Sequence, residues 1–443
     1  MGDKPSPAPG AAQAEQAAFR RHSTLADAKA GEQAYADYQR IDFNRQPFTV
    51  AWEITRACAL RCVHCRAEAI PRRNPLELTT EEGLRFIDEV KEIGGPILVI
   101  TGGDPMMRRD VYEFIAYAAQ EKGLRVALSP SATALVTRKA LAKAKECGLL
   151  RTHISLDGST PAIHDSFRQT EGSFRRTMEI LDDLSGLGMT IQIGTTVSRY
   201  NLNDLPQIMA VISRYNVVMW NLFFLVPTGR GTGEDIISPE EHEQVFHWMY
   251  DVSKTAPFDV RSTAAMHYRR VVMQRRRLEQ AAEARRQGKT VEELQRERGA
   301  GGHLTGAGYS FQDGLGQSAM KGVNDGNGFA FVDHVGNVCP SGFLQLPAGN
   351  LRKQSFIDIY RESALFRQLR DYSQLKGKCG ACDFRDVCGG SRARAFGVTG
   401  DYLESEPYCV YVSAEAKERG LTAPPPVPRQ RPDSDYVPVV ARA

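Results

Sequence analysis

Between residues 48 and about 260 the chain alternates short apolar, β-like runs with amphipathic helical windows, and this alternation limits the fold more than any other feature. The strand candidates are residues 48–55, 96–101, 125–129, 152–157, 189–197 and 217–226. Helical windows such as 79–94, 110–123 and 173–188 lie between them. Thr79 with Glu82 three residues on is a capping-box start, and Gly94, Gly123, Gly148 and Gly188 stand where helices should stop. Strands separated by helices cannot pair as hairpins, so the text predicts a parallel sheet with right-handed crossovers. Six such repeats are too few to close an eight-fold barrel. The expected class is α/β, an open partial (βα)6 TIM-like barrel over 48–260, with functional groups at the C-terminal ends of the strands.

The flanks read differently. Residues 1–47 are a disorder-prone lead-in, 261–328 a charged helical insertion followed by Gly-rich loops, and 413–443 a Pro- and Arg-rich disordered tail. The segment FAFVDHVGNV (329–338) reads as a hairpin that opens a smaller C-terminal domain over 329–412. A net charge of +3 gives no support to nucleic-acid or membrane-surface binding. No apolar run approaches a bilayer span and no secretory signal is present, so the expected compartment is the cytoplasm.

Nine cysteines in a reducing compartment call for metal or redox chemistry rather than disulfides. Cys58, Cys62 and Cys65 form C-x3-C-x2-C directly after the first strand. Three thiolates can hold three irons of a cubane and leave the fourth open for a small molecule. Zinc normally closes with four ligands, and His64 lies too near the three cysteines to complete such a site comfortably. Cys379, Cys382, Cys388 and Cys409 follow C-x2-C-x5-C-x20-C, which by itself suits structural zinc or a fully ligated iron–sulfur cluster. Cys147 reads as a small buried residue, and Cys339 as a stray thiol, an alternative ligand or a substrate contact.

C-x3-C-x2-C after strand one of a six-fold βα repeat resembles the radical S-adenosylmethionine (SAM) superfamily. The resemblance implies a catalytic 4Fe–4S cluster on Cys58, Cys62 and Cys65, whose open iron chelates SAM. One electron from an external donor such as flavodoxin or ferredoxin then yields a 5′-deoxyadenosyl radical that abstracts hydrogen from substrate. Thr101 and Gly102–Gly103–Asp104–Pro105 resemble the GGEP segment that meets the methionine amino group. His64 would pack near the adenine, Ser129 and Ser131 would offer ribose or carboxylate contacts at the end of strand three, and Ser155 and Asp157, in the SLDG text that recurs in this family, would be cofactor-binding residues at the end of strand four. Arg168 would pair with the cofactor carboxylate, while Thr195, Thr196 and Val197 would border the adenine.

The back cysteines resemble a SPASM or twitch domain and imply one auxiliary 4Fe–4S cluster rather than two, since Ser391 replaces a cysteine of the fuller pattern. The C-terminal wording resembles the group of haem-d1, alternative haem-synthesis and pyrroloquinoline quinone enzymes. With about 47 residues ahead of the barrel, a built-in leader-peptide domain is not expected, which favours a tetrapyrrole-like cofactor precursor over a ribosomal peptide as substrate. The contrasting classes are a non-enzymatic iron–sulfur electron carrier or sensor, and a zinc-bound interaction protein.

Overall fold

The structure is a computed structural model that describes residues 40–298 and 322–424. Most of the expected lead-in, the Gly-rich loops over 299–321 and the tail beyond 424 lie outside the described residues. Among the described residues two compact units are distinguished, one built from 42–274 and 322–424, the other including 275–298.

The larger unit is organised on one ten-stranded sheet. Seven parallel strands come first: β1 (Thr49–Glu53), β2 (Ile97–Thr101), β3 (Val126–Leu128), β4 (Arg151–Ser155), β5 (Thr190–Val197), β6 (Val217–Phe224) and β7 (Asp259–Thr263). The expected strands are all present, each within two residues of its expected limits. β7 was not anticipated, and the expected barrel boundary at 260 falls inside it. Its text, DVRST, has one apolar residue, because of the two positions on the covered face, Val260 and Ser262, only Val260 is apolar. The hairpin appears as β8 (Phe329–Val332) and β9 (Asn337–Cys339), followed by β10 (Gly349–Asn350). β8 pairs in parallel with β1, so the C-terminal segment continues the barrel sheet.

The helices cover one face. α1 (Thr80–Glu92) begins in the expected capping box, with Thr79 accepting from the Glu82 N–H and the Glu82 carboxylate accepting from the Thr79 N–H. Trp52 of β1 is fully buried against Phe86 of α1 and Phe114, with ring centroids 5.3 and 4.8 Å away. Gly83 lets α1 lie this close, since a Cβ there would stand 2.5 Å from the Trp52 ring. The opposite face is concave: His153 of β4 meets Phe223 of β6 edge-on at 5.7 Å although β5 lies between them. β7 and β10 are the free ends of the sheet, so the barrel is open.

Two flanking expectations need correction. Residues 42–47 are not a loose lead-in: Phe43 is buried, and its carbonyl accepts from the Tyr360 hydroxyl at 2.8 Å. The tail does not begin at 413, because Ser413 caps a helix over Ala414–Glu418 whose Ala416 is fully buried. In the second unit the charged insertion forms the end of helix Tyr268–Arg286 and helix Val291–Arg298, the latter started by a Thr290–Glu293 capping box.

Candidate active site

The thiol loop leaves β1 and returns on itself. Cys58 N–H donates to the Ile70 carbonyl at 2.8 Å and Ile70 N–H to that of Arg56 at 3.1 Å, which closes the neck. Cys58 and Cys62 are buried and Cys65 half-buried. The Gly102–Pro105 segment supports this loop from beneath: Gly103 and Asp104 N–H donate to the Thr55 and Ala57 carbonyls, both at 2.7 Å. A Cβ on Gly103 would sit 2.5 Å from the Ala57 oxygen and 2.6 Å from that of Arg56. The glycine thus permits one backbone to lie on another.

Asp104 is turned inward. It accepts from the Met106 N–H at 3.1 Å and the Thr133 hydroxyl at 2.6 Å, and burial raises its pKa despite these bonds. Ser131 links the segments, donating to the Gly103 carbonyl at 2.7 Å and accepting from the Cys58 thiol at 3.5 Å.

Burial pushes the Cys62 thiol up to about 11 and that of Cys58 upward too, and the neighbouring thiols add to both shifts. Three thiolates this close are stable together only around positive charge, and this donor set fits an iron–sulfur cluster. Leu60 N–H donates to Cys58 Sγ at 3.4 Å, and Arg168 Nη1 to Cys62 Sγ at 3.6 Å. Arg168 ends α4 (Pro161–Arg168; α2 being Val111–Ala116 and α3 Arg138–Glu146).

Arg168 was expected to pair with a ligand carboxylate, but its protein partner is Asp157, just past β4. Asp157 Oδ1 accepts from the Thr196 N–H at 2.7 Å, and the Asp157 N–H donates to His164 Nδ1 at 3.1 Å. Arg168 Nε remains buried and unpartnered, as does His64 Nδ1. His64 stacks on Phe167 with centroids 4.3 Å apart, and burial, reinforced by Arg168 and Arg230, holds it neutral.

Two expected cofactor contacts point away. Thr195 is fully buried, donating to the Leu156 carbonyl at 2.7 Å and accepting from Trp220 Nε1 at 2.8 Å, and Val197 is buried on the same side. Side chains alternate along a strand, so of the three residues Thr196 faces inward. Ser155 shares the inner face, and Ser129 there bonds to His153 Nδ1 at 3.0 Å.

Sequence reading missed a clamp after β6. Arg230 donates from Nε to the Cys62 carbonyl at 2.9 Å and from Nη1 to that of Ala69 at 3.3 Å. Gly229, at φ +59°, passes so close that a Cβ would stand 2.5 Å from the Cys65 oxygen. The available signal was PTGRG directly after a strand. Also missed was the buried Glu53, which pairs with Arg66 at 2.9 Å and with His334 Nδ1 at 3.1 Å. It joins the end of β1, the thiol loop and the β8–β9 turn.

The back thiols of Cys379, Cys382, Cys388 and Cys409 line one cavity together with His267 and Arg270. Backbone N–H groups of Glu406, Phe384 and Gly390 donate to Cys379, Cys382 and Cys388 Sγ at 3.3, 3.4 and 3.3 Å. Such donors stabilise thiolate, which fits four metal-ligating sulfurs. Burial raises the thiols of Cys382 and Cys388, and that of Cys409 to about 11. Ser391 caps helix Arg392–Thr399, whose Arg394 is fully buried and ion-paired with Glu406 at 3.1 Å. Cys339 packs against Ala51 and Phe331 in the core, and Cys147 is half-buried at the end of α3. Among the described residues no helix is long and apolar enough to cross a membrane.

Comparison with known proteins agrees with this geometry. The Radical SAM superfamily model matches residues 52–212. The chain is 41% identical over 365 residues to the AdoMet-dependent heme synthase of Nitratidesulfovibrio vulgaris, covering 82% of this chain and 92% of that protein. It is 39% identical to the protein of the same name from Methanosarcina barkeri, covering 84% and 98%. In fold it is similar to Streptococcus suis SuiB bound to S-adenosylmethionine, with a TM-score of 0.59, 12% identity, and 87% and 82% of the two chains covered. A thiol loop of this geometry at the end of β1, within such a sheet and with such relatives, leaves one assignment: the chain belongs to the radical SAM superfamily and is a radical SAM enzyme.

Proposed function

We propose that this enzyme acts in haem synthesis, removing hydrogen from a tetrapyrrole-like precursor. The reading is carried by the 41% identity that spans 92% of a relative named AdoMet-dependent heme synthase. Cys58, Cys62 and Cys65 hold the catalytic 4Fe–4S cluster. When bound, that cluster and SAM supply the one-electron chemistry of hydrogen abstraction. Gly102–Pro105 and Ser131 support the loop that carries the thiols, and Arg230 clamps it from above. Arg168, fixed by Asp157, sets its guanidinium against Cys62 Sγ and places positive charge beside the thiolates. Cys379, Cys382, Cys388 and Cys409 hold one auxiliary cluster in the C-terminal segment 329–412, and the buried Cys339 stays outside that set.

Electrons come from an external carrier of the flavodoxin or ferredoxin type, in the cytoplasm. The test is anaerobic reconstitution with iron and sulfide, then dithionite, SAM and a carboxylated porphyrin. The expected result is 5′-deoxyadenosine together with a porphyrin of lower mass. Deoxyadenosine with every porphyrin offered left unchanged would refute the tetrapyrrole assignment.

A further inference from the structure

The concave face of the sheet carries a cation that makes no hydrogen bond or ion pair among the described residues. Arg151, His153 and Ser155 of β4 project inward in alternation, and Asp259 and Arg261 do so on β7. The strand register runs Ser155, Gly194, Asn221, Arg261 and His153, Gln192, Met219, Asp259, so the Arg261 backbone lies level with Ser155 while its guanidinium turns deeper, to Asp259 in the His153 row. Arg151 is the next inward position on β4, about 7 Å deeper than His153 at the usual rise per residue, and so lies close below that row.

Asp259 is paired with Arg261 at 3.2 Å. Arg151 is half-buried and makes no hydrogen bond or ion pair among the described residues, and its Nε is shielded from solvent without a partner. Burial, with the charges of Arg261 and Arg125, disfavours its ionised form, and Asp259 offsets this only in part. A guanidinium left in such a place costs stability unless something anionic joins it.

We propose that Arg151 and Arg261 form the seat for a carboxylate of the substrate, at the floor of the barrel and away from the SAM-facing loop. Arginine suits this role because its planar fork meets a carboxylate with two parallel bonds. The inference rests on the tetrapyrrole reading and sharpens it. Tetrapyrrole precursors carry carboxylates on flexible arms at the rim of the ring. One arm can reach the floor while the opposite edge stays near the thiol loop, which would fix which rim position meets the cofactor.

The test uses the reconstituted protein and two probes, coproporphyrin III with four carboxylates and its tetramethyl ester with none, followed by fluorescence quenching. Arg151→Gln and Arg261→Gln should each weaken coproporphyrin III binding by about tenfold or more, the usual size of a lost charged hydrogen bond. Arg151→Lys, which keeps the charge, should recover part of that loss. Binding of the ester and of SAM should not change. Arg151→Gln should also leave Tm equal or higher, since no native contact of Arg151 is lost, an outcome that a structural role would not give. Undiminished coproporphyrin III binding by the double Gln variant overturns the seat and leaves the tetrapyrrole reading standing. Failure of the unmutated protein to bind coproporphyrin III overturns both.

Discussion

Replacing Arg394 by Met tests how the C-terminal segment is held to the barrel. Arg394 donates from Nε to the Leu225 carbonyl at 3.2 Å, and from Nη2 to those of Phe224 at 3.2 Å and Ala264 at 2.6 Å. Its remaining arm pairs with Glu406 at 3.1 Å, and both side chains are shielded from water, at 0% and 1% exposure. Methionine has similar bulk but leaves the Glu406 carboxylate without its countercharge. Stranding one partner of a buried pair costs about 3–5 kcal/mol. A typical fold has only about 5–15 kcal/mol in total. The urea midpoint of the apo-protein should therefore fall sharply. Glu406 also donates its N–H to Cys379 Sγ at 3.3 Å, so the back thiol group should lose its iron first. Adding Glu406→Leu removes the stranded charge, and the double variant should recover at least about 1 kcal/mol relative to additivity. A loss under about 1 kcal/mol for Arg394→Met, or strict additivity in the cycle, refutes the reasoning.

Other perturbations separate the two thiol groups. Replacing Cys58, Cys62 and Cys65 with Ala should remove one cluster's iron and all SAM cleavage, whereas replacing Cys379, Cys382, Cys388 and Cys409 should leave cleavage uncoupled from product. Iron analysis with deoxyadenosine assay checks both, and retained cleavage in the first variant contradicts the assignment. Gly103→Ala drives a methyl against the Ala57 and Arg56 carbonyls and should displace the thiol loop; unchanged iron content and cleavage rate would contradict that packing. Burial, with a smaller push from Arg168, holds His153 at about 4, below its ordinary value, and burial keeps His164 and His242 well below theirs. The unfolded chain takes up these protons from about pH 6.5 downward and the fold does not, so stability should fall as pH drops toward 4, by about 1.4 kcal/mol per pH unit per histidine. Asp157, raised by burial, works in the opposite sense at the acid end. Urea midpoints between pH 7 and 4.5 check the sign, and a flat profile contradicts it.

The parallel strands were legible because their apolar runs are bounded by capping and stop signals that act over a few residues. β7 was not, because a strand that covers helices with one valine and lines a polar interior with Arg261 and Thr263 leaves no apolar run. The thiol ligands were legible as spacing. Which of Thr195, Thr196 and Val197 faces inward was not, since GTTV has no polarity contrast and the parity is fixed by the distant Trp220 indole. Arg168 and Asp157 were both singled out, yet their mutual pairing depends on how α4 docks on the end of β4.

The least legible contacts are those that make one body of the two thiol groups. Arg394 lies 170 residues after Phe224 and 130 after Ala264, and His334 lies 281 after Glu53. Together with the β8–β1 pairing, these contacts let the C-terminal segment seize the barrel on both sides: β8 extends the sheet beyond β1, and Arg394 caps the ends of β6 and β7. A partial barrel is open between those limits and needs something to hold its curvature, which no local sequence pattern supplies. The same contacts fix the back thiols relative to the front ones. Hence disturbing Arg394 or His334 should alter the curvature of the sheet that carries the front thiols, and not only the stability of the C-terminal segment.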